Sequence, residues 1–121
     1  MEIKHIKFKS KRLDNGEWVE GDLLHSYEDG AIIVPIVGGG AFSVDTSTIC
    51  QFTGMKDCEG NEIWEGDIVE REIYDLFKGS SKVKGVIEYM DGAFVAITGG
   101  IPYSLYFKYI KVIGNKFDEE K

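Results

Sequence analysis

A chain of 121 residues, 43% of them hydrophobic, makes one ordinary domain or two very small ones and carries enough apolar surface to exclude wholesale disorder. Its net charge of −7, from 14 basic and 21 acidic residues, opposes non-specific contact with phosphate backbones. Two cysteines exclude a disulfide framework and point to a reduced, cytoplasmic setting; the start lacks a signal-peptide core, and the run "GAIIVPIVGGGAF" is too short to span a bilayer.

Period-two alternation runs through nearly the whole chain, and helical periodicity is almost absent. "IKHIKFKSKRL" alternates unevenly and reads as a first strand. Asp14, Asn15 and Gly16 form a hairpin turn, because Asn-Gly supplies the positive φ angles that a tight turn demands. "EWVEGDLLHSY" returns as a strand, "EDG" turns again, and "AIIVPIV" is β-branched and apolar. Pro35 lacks a ladder donor, which places that strand at an edge or bends it there. The Gly38-Gly39-Gly40 turn leads into "AFSVDTSTICQFTG". The first half is thus a β-meander of three or four strands.

In the second half, "KDCEGNEI" is a turn in which Asp57 bonds back to the local backbone. "DIVEREIYDLF" begins as a strand and "KGSSK", residues 78–82, reads as a flexible loop. "VKGVIEYM", a turn at Asp91 and Gly92, and "AFVAIT" make the clearest hairpin. Gly99 and Gly100 turn the chain again, and one helical turn is expected after Pro102. "YIKVIGN" is the last strand, and "KFDEEK" a charged tail. Strand, loop, hairpin, helical turn and final strand follow the order of an SH3-like barrel. The expected fold is mainly β: an N-terminal β-meander over residues 1–50, packed on an SH3-like small barrel over residues 51–121, with one or two short helical turns.

One pattern is written twice. "EWVEGDLL" is matched by "EIWEGDIV", each placing a Trp ahead of Glu-Gly-Asp and two aliphatic residues. Glu65 and Asp67, or Glu20 and Asp22, invite an acid–base or metal reading. Catalysis needs two acids held in different environments of one cleft, and no calcium-loop spacing accompanies them. The better explanation is structural: Asp bonds backbone N–H groups at a turn and Gly admits a bend, so the pattern starts a β-strand. Trp18 and Trp64 are then expected to be substantially buried, or to sit where the halves meet.

The same residues carry a resemblance. "IKFKSKRLDNGEWVEGDLL", then "QFTGMKDCEGNEIWEGDIV", then "IKVIGN" resemble the YopX family, small proteins encoded by phages and prophages. The resemblance covers nearly the whole chain, with residues 52–69 its most specific part. Glu20, Met55 and Trp64 stand where an aromatic, Leu and Tyr are common. It implies a mainly-β fold with an SH3-type barrel and a phage origin, and brings no established activity with it.

Other chemistry is weaker. Cys50, Cys58, His5 and His25 lack the spacing of a zinc site: Cys50 reads as core, and Cys58 and His25 as surface residues. The glycine triplet precedes no helix and is not a phosphate loop. No residue is assigned a catalytic or metal-binding role, and no cofactor is expected. Two features remain as binding candidates. Residues 1–12 hold five basic residues (Lys4, Lys7, Lys9, Lys11 and Arg12) against Glu2 alone, leaving nine basic and twenty acidic residues elsewhere. "YSLYFKY" sets Tyr103 and Tyr106 among lysines, as barrels that stack on single-stranded bases do. Lys4, Lys7, Lys9, Tyr103 and Tyr106 are therefore the candidate contacts. The acidic body disfavours nucleic acid and no membrane contact is expected. The leading expectation is a non-enzymatic binding or assembly module that contacts a protein partner or a second copy of itself, as a homo-oligomer. The alternative is a nucleic-acid-binding β-barrel using the basic arm and the tyrosines.

Overall fold

The computed structural model describes residues 2–105 and 109–118. The chain is mainly β and divides into two compact units, Met1–Phe52 and Thr53–Lys121. Among the described residues the only helical elements are two 3-10 turns, Ile3–His5 and Thr46–Thr48.

The first unit contains β1 (Phe8–Lys11), β2 (Trp18–His25), β3 (Ala31–Val34) and β4 (Phe42–Val44), joined in meander order, with the first residues of β5 (Cys50–Lys56) on the other side of β1. All pairs are antiparallel. The meander does not stay open. Arg12 bridges to Val44, Leu13 N–H donates to the Ser43 carbonyl at 3.0 Å, and Asp45 N–H donates to the Lys11 carbonyl at 2.8 Å. The segment after β1 thus covers the outer edge of β4, a common way of protecting an edge strand. Pro35 lies just past the end of β3, a strand flanked on both sides by β2 and β4. It therefore ends an interior strand rather than marking an edge. The stretch "AFSVDTSTICQFTG" is divided between β4 and β5 by the turn Thr46–Thr48, capped by Asp45, whose carboxylate accepts from Ser47 N–H at 3.0 Å. Alternation along β3 buries Ala31 and Ile33, which join Val44 in a core lined by Val19, Leu23 and Ile49.

In the second unit the end of β5 lies beside β6 (Glu62–Trp64). The larger sheet holds β7 (Asp67–Asp75), β8 (Gly79–Met90), β9 (Ala93–Thr98), β10 (Ile101–Ser104) and β11 (Ile110–Asn115), in the order β10-β9-β8-β7-β11. The last strand returns to pair with β7, as the SH3-like order requires. Ile63, Val69, Ile87, Ala96, Leu105 and Ile110 form the core, with Met55, Phe94 and Val112 packed against them.

Two expectations are corrected here. Of the segment after Pro102 where a helical turn is expected, residues 103–104 belong to an edge strand, because the Gly99-Gly100 turn delivers Ile101 opposite Thr98 and the ladder continues to Ser104 opposite Val95; residues 106–108 of that segment lie outside the described residues. Pro102 is tolerated because it stands on an edge. Residues 78–82 are not a flexible loop either: Lys82 faces Glu72, Ser80 faces Tyr74, and the hairpin closes at Gly79 opposite Asp75. Register with β7 outweighed a loop-like composition.

Candidate functional site

The β7–β8 hairpin is assembled from its base outwards. Arg71 is buried, and its guanidinium lies 3.8 Å from the centroid of the Tyr103 ring, where a cation meets the negative face of the π system. Alongside, the Tyr109 hydroxyl donates to Glu70 at 3.0 Å. That hydrogen bond, with burial second, pushes the phenol above its ordinary value of 10.0. Lys82 Nζ stands 3.9 Å from the same carboxylate and 5.0 Å from the Tyr109 ring centroid. Such partly exposed pairs each contribute little to stability, but together they orient the strands where they leave the sheet.

Beyond that base the flanking strands stop. β11 accompanies β7 only as far as Arg71, and β9 accompanies β8 only as far as Val86. Among the described residues, 72–75 and 79–82 pair only with each other. The tip is nevertheless ordered by its own chemistry: Asp75 Oδ1 accepts the N–H groups of Phe77 at 2.7 Å and Lys78 at 3.1 Å. This fixed turn holds Tyr74, Leu76 and Phe77 at 73%, 83% and 97% exposure. Single exposed apolar residues are ordinary, whereas a group of large ones within four positions marks a contact surface.

The residues singled out from the sequence are placed differently. Lys4 forms an exposed ion pair with Glu2 at 2.9 Å. Lys7 lies over the Phe52 ring at 4.9 Å and 3.6 Å from Glu20. Lys9 and Lys11 lie over Trp18 at 4.7 and 5.4 Å, and Arg12 pairs with Asp14 at 2.6 Å. The five cations are thus held along one strand and its flanks, each against an acid or aromatic of its own unit. Tyr103 is half-buried beneath Arg71. Tyr106, with Phe107 and Lys108, lies outside the described residues. The lysines and Tyr103 belong to different units.

Two buried acids, Asp67 of the repeated pattern and Asp57 of the turn before it, have structural partners, whereas Asp22 of the first copy is exposed. Asp67 is buried and accepts from Trp64 N–H at 2.8 Å and from the Asn115 amide at 3.0 Å. Asp57 is buried as well. Burial pushes its carboxyl up, but accepting the N–H groups of Val112, Asn61 and Glu59 outweighs this and holds it below the ordinary 3.8. A cavity of about 310 Å³ beside β11 is lined by Ile68, Lys84, Ile113, Gly114, Asn115 and Asp118, yet the Asn115 side chain is already bonded to Asp67 and to Phe117 N–H. Among the described residues, no group of three or more His, Cys, Asp or Glu is arranged to hold a metal ion. No helix there is long and apolar enough to cross a membrane.

Sequence reasoning passed over Tyr74, Leu76 and Phe77. A signal was present: "IYDLF" breaks the alternation with apolar residues that a half-buried strand has no face to receive.

Comparison with known proteins bears on the fold and lineage. A model of the YopX protein family matches residues 7–120. Among solved structures, the chain is similar to protein EF1440 from Enterococcus faecalis, with 24% identity, a TM-score of 0.54, and coverage of 91% of this chain and 92% of that one. At that identity the likeness concerns the fold alone. No curated protein matches the chain.

Proposed function

The chain belongs to the YopX family, and we propose that it works as a non-enzymatic binding or assembly module, encoded by a phage or prophage and acting through protein–protein contacts in the bacterial cytoplasm. The observation that supports this reading is the hairpin tip, where a fixed turn holds Tyr74, Leu76 and Phe77 in water. Removing apolar surface from water contributes roughly 25 cal/mol per Å², and a turn already in its bound shape loses little entropy on docking. The reading needs no cofactor and no metal.

The nucleic-acid alternative is less well supported. Its lysines lie against acids and rings of their own unit, and phosphate neutralisation requires that they leave those partners.

A photo-crosslinking residue at position 77, introduced into the full chain in its bacterial host, tests the reading. The expected result is a discrete protein adduct that a probe at the equally exposed Tyr27 does not form. No adduct at position 77, together with micromolar oligonucleotide binding that disappears when Lys4, Lys7, Lys9 and Lys11 become Ala, overturns it.

A further inference from the structure

We propose that the partner of the hairpin is a second copy of this chain: Tyr74, Leu76 and Phe77 of one copy pack against the same residues of the other about a two-fold axis. This rests on the protein-contact reading and names its occupant.

Charge is the first argument. A body of net charge −7 repels its own kind except where the charge is locally balanced. Within residues 70–84 stand Arg71, Lys78, Lys82 and Lys84 against Glu70, Glu72 and Asp75. The register sets Glu70 opposite Lys84 and Glu72 opposite Lys82. A nearly neutral hairpin offers no handle to a strongly charged partner, while another acidic copy meets no net repulsion there. An anionic lipid surface is opposed by the rest of the chain.

Area is the second. Tyr74, Leu76 and Phe77 offer together on the order of 500 Å² per chain, given the sizes of such side chains. Two copies meeting there reach about 1,000 Å², the lower bound for a specific interface. That predicts a real but weak dimer.

The third argument is symmetry. A two-fold contact brings a patch against itself, and an apolar, charge-balanced tip is complementary to itself. Among the described residues the outer edges of 72–75 and 79–82 have no ladder partner, and they add backbone donors and acceptors that a two-fold axis places antiparallel to their own copies. The ordinary sheet edges are less available: β10 carries Pro102, β11 is broken by a register shift between Val112 and Gly114, β4 is covered by residues 12–13, and β6 is only three residues long.

Sedimentation velocity of the full chain, from low to high micromolar concentration, tests the proposal. The expected result is a monomer–dimer transition in that range. Leu76→Ser with Phe77→Ser should weaken it at least about tenfold, leaving the melting temperature and circular dichroism unchanged because both side chains are already in water. Tyr27→Ser should leave it unaltered. A wild-type chain monomeric throughout, or a double variant that dimerises as well as wild type, overturns the proposal. If the chain stays monomeric while position 77 crosslinks to a different protein, the second-copy proposal fails and the protein-module reading stands. If it stays monomeric and the tip instead binds vesicles or oligonucleotides, both fail.

Discussion

The Trp-to-Asp pattern occurs in both units, and the two copies meet different fates. In the first, Trp18 opens β2 and Glu20-Gly21-Asp22 lie in mid-strand, with Gly21 opposite Phe8 and Asp22 opposite Val34. In the second, Trp64 closes β6, Glu65 and Gly66 form a turn, and Asp67 opens β7. Asp67 is buried and bonded, whereas Asp22 is exposed. Only the second copy is the strand starter that the sequence suggests. The first has one additional residue, Val19, between its Trp and Glu, and in a strand one residue reverses the face that every later side chain occupies. Similar words therefore carry different structural duties, and the glycines, tryptophans and aspartates can be set against one another to measure the difference.

The largest contrast is expected between the glycines. A Cβ on Gly21 would stand 2.1 Å from the Val34 carbonyl oxygen and 2.8 Å from Pro35 Cα, so β3 must move away. Gly21→Ala is expected to cost about 4–5 kcal/mol, the range of the most severe single substitutions. Gly66 is buried and sits at φ 87°, and its replacement by Ala should carry the left-handed penalty of about 1–2 kcal/mol. Urea unfolding of both variants checks this, and equal losses would erase the distinction.

The tryptophans come next. Trp64 is 5% exposed, and Trp64→Ala should cost about 3–5 kcal/mol. Trp18 is half-buried under Lys9 and Lys11, so Trp18→Ala should cost about half as much. In the native protein, iodide should quench the fluorescence of Trp18 and spare that of Trp64. The reverse order would contradict the assignment.

The acids differ less in magnitude but as clearly in kind. Asp67→Ala leaves the Trp64 N–H and the Asn115 amide without their acceptor, at about 2–3 kcal/mol. Asp22→Ala should stay within about 0.5 kcal/mol, as surface changes do. Chemical denaturation of the pair tests this directly.

The smallest effect is a dependence on pH, set by the turn ahead of each copy. Asp57 precedes the second copy, and its carboxyl is held below 3.8. A depressed carboxylate contributes stability that is fully present above the unfolded value and lost as pH falls through the folded one. Acid should therefore begin to weaken the second unit as pH drops below about the ordinary carboxylate value. Asp57→Asn should flatten that decline. Asp14 ahead of the first copy is also lowered, first by its hydrogen bond from Arg12, but it is exposed, and Asp14→Asn should leave the acid profile unchanged. A wild-type profile with no acid limb would break the comparison.

Much of the fold was legible because its signals are local. Alternation marked the buried Ala31 and Ile33, Asn-Gly and Asp-Gly marked turns, and the run from residue 57 showed an Asp placed to accept its own backbone N–H groups. These depend on residues within a few positions of one another, so the chain states them by itself. The candidate site was not legible in the same way. Residues 78–82 read as a loop until their pairing with β7 is known, and Lys7 and Lys9 read as a solvated arm until Phe52 and Trp18 are seen beneath them.

The sequence by itself determined the β class, most of the turns and the alternation that feeds each core, because steric preference and side-chain period act within a strand. Tertiary structure alone decided that β4 meets residues 12–13, that Asp67 is covered while Asp22 is not, and that β9 and β11 end before the β7–β8 hairpin does. Those outcomes depend on which distant strands pair and where their registers run out. The exposure of Tyr74, Leu76 and Phe77 follows from that register, since an apolar side chain stays in water wherever no neighbouring strand extends far enough to cover it.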